Sequence, residues 1–167
     1  MEPKFCPLCR SELRARAFDG TVRAACSATD CSFVHWNNPV PVVAGLVRLR
    51  ERYVLARGAR WPAGLFSLLT GFVERGESPA AAIAREVREE LGLATQELDF
   101  IGHFPLGELN QLLIAYTVHA EGAPVLGTEI AAIEIVSAAE LACFDFGPLE
   151  LTRSIVAQWL ERCRAAP

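Results

Sequence analysis

The sequence predicts an α/β domain preceded by a small β unit. Three observations carry that expectation. From Val40 onward, apolar runs rich in β-branched residues alternate with two helix patterns, one near residue 80 and one after residue 148. Asn37-Asn38-Pro39 marks a boundary, because Asn-Pro favours a turn and Pro39 holds Asn38 extended. Four of the six cysteines lie before that boundary. The expected division is therefore 1–38 and 39–167.

Taken in order, Cys6-Pro7-Leu8-Cys9 and Cys26 to Cys31 read as two knuckles. Between them, Glu12–Phe18 and Thr21–Ala25 read as strands joined by Asp19-Gly20, a strong hairpin turn. Val40–Leu49 and Tyr53–Arg57 follow as strands, with Pro41 near a strand start where it is tolerated. Residues 58–64 hold two glycines and a proline and read as a loop. Leu65–Leu69 reads as a short strand, and residues 71–77 as a charged, glycine-bounded loop. Ser78 suits an N-cap, Pro79 the first helical position, and Gly92 the residue past the end. Residues 80–91 between them are strong helix formers. Asp99–Phe104, Leu112–His119 and Glu129–Val136 read as strands, and Leu149 to Arg164 as an amphipathic helix.

Composition narrows the function. Apolar residues make up 51% and charged residues 22%, which is globular composition. The net charge is −4. Before Pro39, Lys4, Arg10, Arg14, Arg16 and Arg23 stand against Glu2, Glu12, Asp19 and Asp30, a balance of +1 that leaves −5 for the rest. A general nucleic-acid binder usually shows a basic excess, so nucleic acid is not the expected partner. The longest apolar run, about Val40 to Val47, is far short of the ~20 residues that cross a bilayer. Met1-Glu2-Pro3-Lys4 lacks a basic stretch followed by an apolar one, so a cytoplasmic location is expected.

The chemistry concentrates in residues 71–93. At ~100° per residue, Glu86, Glu89 and Glu90 fall within about a 100° arc of one helix. Three carboxylates on one face repel, and a fold that keeps them together normally supplies cations. Hard oxygen donors suit Mg²⁺ or Mn²⁺, typically shared with substrate phosphates. A solvated acidic face is the plain alternative for three glutamates alone. They do not stand alone. Gly71, five residues, Glu77, seven residues, then Arg85-Glu86-Val87-Arg88-Glu89-Glu90-Leu91-Gly92-Leu93 matches the Nudix signature position for position. A chance match is on the order of 10⁻⁸ per start position.

The resemblance implies a loop–helix–loop within an α/β/α sandwich around a mixed sheet. It implies that Glu86, Glu89 and Glu90 carry the divalent ions, helped by the Gly71 carbonyl. Arg85 and Glu77 would pair and orient the cluster. A further glutamate from a downstream loop commonly completes such sites; Glu129 is the candidate, with Glu134 and Glu121 as alternatives. Phe72 would stack on a base or ring.

Cys6-x2-Cys9 and Cys26-x4-Cys31, on two knuckles of a hairpin, read as a Cys₄ zinc ribbon. A disulfide framework is weaker without a secretory signal, and a redox pair lacks its βαβ context. A ribbon before a Nudix domain resembles the NADH pyrophosphatase branch and its FAD and ADP-ribose pyrophosphatase relatives, which suggests a homodimer. NADH pyrophosphatases carry Ser-Gln-Pro-Trp-Pro-Phe-Pro-x-Ser after the signature. This chain has Gly102-His103-Phe104-Pro105-Leu106-Gly107-Glu108-Leu109-Asn110-Gln111, where a proline survives, with Gln111 as a contact to the nucleoside. Broader nucleotide specificity is the expectation.

Among lesser candidates, Arg57, Arg60 and Arg75 read as surface arginines that could hold phosphates. His35 reads as structural, His103 and His119 as strand residues, and Cys143 and Cys163 as packed free thiols. The function expected is a Mg²⁺-dependent (or Mn²⁺-dependent) pyrophosphohydrolase with structural Zn²⁺, acting on a small nucleotide. It would release a nucleoside monophosphate and a phosphorylated product. Two alternatives stand beside it: a non-catalytic nucleotide sensor of ADP-ribose type, and processing of NAD-capped RNA.

Overall fold

The computed structural model describes residues 3–165. The chain divides into two compact units, Met1–Asn38 and Pro39–Pro167.

In the first unit, β1 (Leu13–Phe18), β2 (Thr21–Cys26) and β3 (Val34–His35) form an antiparallel sheet in that order. Asp19 and Gly20 turn β1 into β2 with φ of 46° and 80°, the doubly positive turn whose twist matches a hairpin. The two-residue β3 was not expected; it is too short to leave a pattern. Its Val34 and His35 pair with Ala25 and Ala24.

The second unit is built on a six-stranded mixed sheet. Its strands are β4 (Val40–Leu49), β5 (Arg52–Gly58), β6 (Leu69–Phe72), β7 (Ala94–Leu106), β8 (Gln111–Glu121) and β9 (Ile130–Val136). The order is β7-β8-β4-β5-β9, with β6 paired to β4. Strands β4 and β8 run parallel and the other pairs antiparallel. Alternation along β4 splits the core into two layers. Val42, Ala44 and Leu46 face one layer with Ile155, Val156 and Trp159 of α3 (Glu150–Ala165) and Leu141 of α2 (Ala138–Ala142). Val43 and Val47 face the other with Ile83, Val87 and Leu91 of α1 (Pro79–Leu91). The result is the expected α/β/α sandwich.

Helix α1 has the expected bounds for the expected reasons. The Ser78 hydroxyl accepts from the Ala81 N–H at 3.1 Å, Pro79 opens the first turn, and Gly92 closes the helix in the left-handed region at φ 65°. Its apolar face sits on β4 where Gly45 leaves room: a β-carbon there would lie 2.7 Å from Ile83 Cδ1.

Four expectations need correction. The strand expected at Leu65–Leu69 lies at Leu69–Phe72, because those residues pair with Val42 to Gly45. Gly71 and Phe72 therefore belong to a strand and not to a loop. Residues 65–68 reach the core without a ladder, save the Ser67–Ala56 bridge. Strand β7 begins at Ala94, since its polar first half pairs with β8 on a half-exposed face. Helix α2 was missed although Ser137 and Glu140 form its capping box. Cys143 and Cys163 are exposed, the first closing α2 and the second on the outer side of the last turn of α3. No helix among the described residues is long and apolar enough to cross a membrane.

Candidate active site and cysteine cluster

Glu86, Glu89 and Glu90 leave α1 along the edge of its apolar face: Glu90, one turn beyond Val87, and Glu86 are part-buried, and Glu89 is exposed. Arg85 organises them. Its Nε and Nη2 hold the two carboxylate oxygens of Glu77 at 3.0 and 3.1 Å. Its Nη1 reaches Glu86 at 2.7 Å and Glu89 at 3.2 Å, and Nη2 also donates to the Phe72 carbonyl at 3.0 Å. One planar guanidinium thus ties the end of β6, the loop before α1 and two helix carboxylates into one geometry. Glu77 is held below the usual carboxylate range by Arg85 first and the Glu74 N–H next.

A cleft of about 540 Å³ brings together Gly71, Phe72, Glu86, Glu89, Glu90, Gln111 and Glu129. Gly71 is needed for close approach, since a β-carbon there would overlap the Glu86 carboxyl group. Phe72 is 57% exposed and free to receive a flat group. Gln111 opens β8 opposite Val40 and Leu106.

Glu129 arrives by a device the sequence did not disclose. The loop after β8 docks on the C-terminal end of α1: Val125 N–H donates to the Leu91 carbonyl and Gly127 N–H to the Glu90 carbonyl, both at 2.8 Å. Two carbonyls that the helix leaves open are satisfied. Gly127 is required there, because a β-carbon would lie 2.6 Å from the Glu89 carbonyl oxygen and 3.2 Å from Glu90 Cα. Gly127→Ala should lower unfolding free energy by about 1–3 kcal/mol, as overpacking does, because both obstacles are helix backbone. The urea midpoint reads this, and an unchanged midpoint would refute the docking. Of the alternatives to Glu129, Glu134 sits within β9 opposite Leu55 and Glu121 lines a separate cavity with Arg48 and Gln96.

Burial pushes the Glu90 carboxyl up to about 7, and the charges of Glu86, Glu129 and Glu89 add to the shift. Three neighbouring carboxylates therefore add to the cost of ionising Glu90. A divalent cation would relieve that repulsion, so the donor set fits Mg²⁺ or Mn²⁺. Among the described residues only the cysteines converge tightly enough to surround one ion unaided. The carboxylates line a wider cleft, the arrangement suited to ions shared with a substrate.

Thr70, Thr128 and Trp61 were missed. Thr70 and Thr128 border the same carboxylates, and small polar residues leave no pattern to read. Trp61 left a signal, a lone indole in a Gly- and Pro-containing loop. Arg60 lines a cavity, while Arg57 donates to the Trp61 carbonyl at 3.4 Å. His119 binds Asp99 at 2.8 Å. His35 of β3 pairs with Ala24 of β2.

In the first unit, the sulfurs of Cys6, Cys9, Cys26 and Cys31 all lie within 4.8 Å of one another. Cys6 to Cys31 is 3.7 Å and Cys9 to Cys26 is 3.3 Å. A tetrahedron of 2.3 Å zinc–sulfur bonds has edges of about 3.8 Å. The first knuckle is closed by Arg10 N–H on the Cys6 carbonyl at 2.9 Å, with Arg10 at φ 65°. Hydrogen bonds from the Ser11 side chain and backbone, then from Cys26, lower the Cys9 thiol to about 6. An Ala28 backbone hydrogen bond favours the Cys26 thiolate, but desolvation and the other thiols outweigh it and push Cys26 up to about 12. Thiols that compete for protons in this way suit a shared cation.

A family model described as NUDIX domain matches residues 39–160. The NAD-capped RNA hydrolase NudC of Mycobacterium bovis (strain BCG / Pasteur 1173P2) is 46% identical over 74 residues, covering 44% of this chain and 23% of that protein. Its namesake in Vibrio cholerae is 28% identical over 113 residues, covering 68% and 40%. The chain thus spans less than half the length of these relatives. A NUDIX hydrolase from Nitrosomonas europaea superposes with a TM-score of 0.73 at 20% identity, over 98% of this chain and 94% of that one. The NUDIX domain of Shewanella oneidensis NrtR, solved with ADP ribose, gives a TM-score of 0.60 at 14% identity, over 75% and 88%.

Proposed function

The chain belongs to the NUDIX family, and from that premise we propose that it hydrolyses the diphosphate of a nucleoside diphosphate linked to another moiety. The products are a nucleoside monophosphate and a phosphorylated second product. One observation carries the reading: the signature's three helix carboxylates, Glu86, Glu89 and Glu90, line a single cleft with Glu129.

Glu86, Glu89 and Glu90, with the Gly71 carbonyl, would hold Mg²⁺ or Mn²⁺, which when bound neutralises charge on phosphoryl oxygens and acidifies water. Arg85 and Glu77 keep Glu86 and Glu89 aimed into the cleft. A water attacks one phosphorus, the bond to the bridging oxygen breaks, and a carboxylate of the cluster, Glu129 included, accepts the water's proton. Phe72 and Gln111 hold the nucleoside. Cys6, Cys9, Cys26 and Cys31 hold a structural Zn²⁺ in a ribbon over residues 1–38, before a catalytic domain over 39–167. The reading also carries a homodimer, checked by sedimentation, and a cytoplasmic location, which suits clustered thiols.

The test is a panel of NADH, FAD, ADP-ribose and dinucleoside polyphosphates at fixed Mg²⁺, with products identified. ADP-ribose or FAD should be hydrolysed at least as well as NADH, because the residues at 102–111 offer few partners for discrimination. A kcat/KM for NADH tenfold or more above both would reverse this order. The names of the mycobacterial and Vibrio relatives favour a second reading, the same chemistry on NAD-capped RNA. A steep fall of binding with salt would reveal it.

A further inference from the structure

We propose that a second lobe, walled by Arg60 and Trp61, receives the part of the substrate beyond the diphosphate and seats a planar heterocycle on the Trp61 indole. This rests on the pyrophosphohydrolase reading above.

The cleft has a neighbour. A cavity of about 510 Å³ lies between the end of β5, the start of β6 and the loop 58–64. It shares Thr70, Glu90, Thr128 and Glu129 with the first cleft, so two of the site's carboxylates, Glu90 and Glu129, stand where the two lobes meet. The sheet opens this space itself. Strand β4 pairs with β6 through Val42 to Gly45 and with β5 through Val47 to Leu49, on the same edge, so β5 and β6 diverge beyond it. A nucleoside diphosphate joined to a second moiety has the same layout, with its diphosphate in the middle and a bulky group at each end. Phe72 and Gln111 line the first lobe only, and Arg60 and Trp61 the second only. Each lobe has the volume of a small-molecule site.

The Trp61 ring is held in place. A β-carbon at Gly58 would lie 3.3 Å from the indole, so the ring rests against glycine backbone. The Trp61 backbone N–H donates to the Gly58 carbonyl at 3.0 Å, which fixes the residue in its turn. The same loop is tied to the acidic site, with Ala59 N–H on the Glu129 carbonyl at 2.7 Å. Trp61 as a residue nonetheless keeps 38% of its surface open, which a packing role would not require. A fixed, accessible indole beside a cation stacks flat rings whatever their edge pattern. Arg60 brings positive charge to the end of the diphosphate farther from Phe72.

Diadenosine diphosphate has a ring at both ends, whereas ADP-ribose ends in a ribose. In Trp61→Ala, the ratio of kcat/KM for diadenosine diphosphate over ADP-ribose should fall tenfold or more, mainly through KM. Trp61→Phe should hold the ratio within about threefold of wild type, which also guards against a misfolded alanine variant. A fall of less than fivefold in Trp61→Ala overturns the proposal, as does an equal fall in Trp61→Phe. If wild-type protein hydrolyses neither compound, the activity reading fails on its own. The same ratio is then taken from dissociation constants by calorimetry, with the same thresholds.

Discussion

Glu89→Gln and Glu90→Gln should each lower kcat by at least about 100-fold at saturating Mg²⁺. Glutamine keeps the size of the side chain and removes the charge, so cation binding and water activation are lost together. Neither site is an apolar core position, and Glu89 is 53% exposed, so the fold should survive. Glu90→Gln offers a control. A carboxyl whose folded pKa rises from 4.5 to about 7 costs nothing below the lower value and its full penalty above the upper one. Metal-free wild-type protein should therefore lose stability as pH rises through that window, and Glu90→Gln should flatten the loss. Wild-type turnover in both variants would remove these residues from the reaction.

The second large effect concerns the first unit. Freshly purified protein should hold about one Zn²⁺ per chain, and Cys26→Ser should lose most of it. Cys26 is buried at the last position of β2, where its N–H donates to the Phe33 carbonyl at 2.9 Å. It therefore links the hairpin to the second knuckle as well as facing the other sulfurs. Four thiolates leave no open position for water, so the ion would be structural, and its binding energy would be folding energy. The thermal transition of the variant should fall accordingly, while Mg²⁺ binding by the carboxylates persists. Elemental analysis without zinc, together with four titratable thiols, would end the assignment.

What the sequence disclosed follows from where the information is local. Helix α1 was legible to the residue because Ser78, Pro79 and Gly92 act within one turn of themselves. The sandwich was legible through alternation along β4 and the helix pattern. The convergence of Glu86, Glu89 and Glu90 followed from helical spacing alone. Strand β6 was misplaced because Leu65 to Phe72 is mostly apolar, broken only by Ser67 and Thr70, and only pairing with Val42 to Gly45 decides which four residues form the ladder. Glu129 could be named from a resemblance, but its route to Glu90 needed the docked loop at Gly127. Trp61 went unread because nothing in its neighbours announces a cavity formed by two diverging strands.

The parallel pairing of β4 with β8 bears on how the molecule is assembled in time. Val40 lies opposite Gln111, so this ladder closes only after α1 and β7 have been threaded between its strands. The β7–β8 pair, by contrast, joins through a three-residue 3₁₀ turn at Gly107–Leu109 and can form early. Closing the long connection costs chain entropy before its contacts repay it, which places folding of this unit in the slow, millisecond-to-second range. The signature carboxylates precede β8 and Glu129 follows it, so the acidic cleft is among the last features to form. A refolding experiment should show secondary structure returning ahead of the cleft, with recovery of Mg²⁺ binding matching the slowest phase.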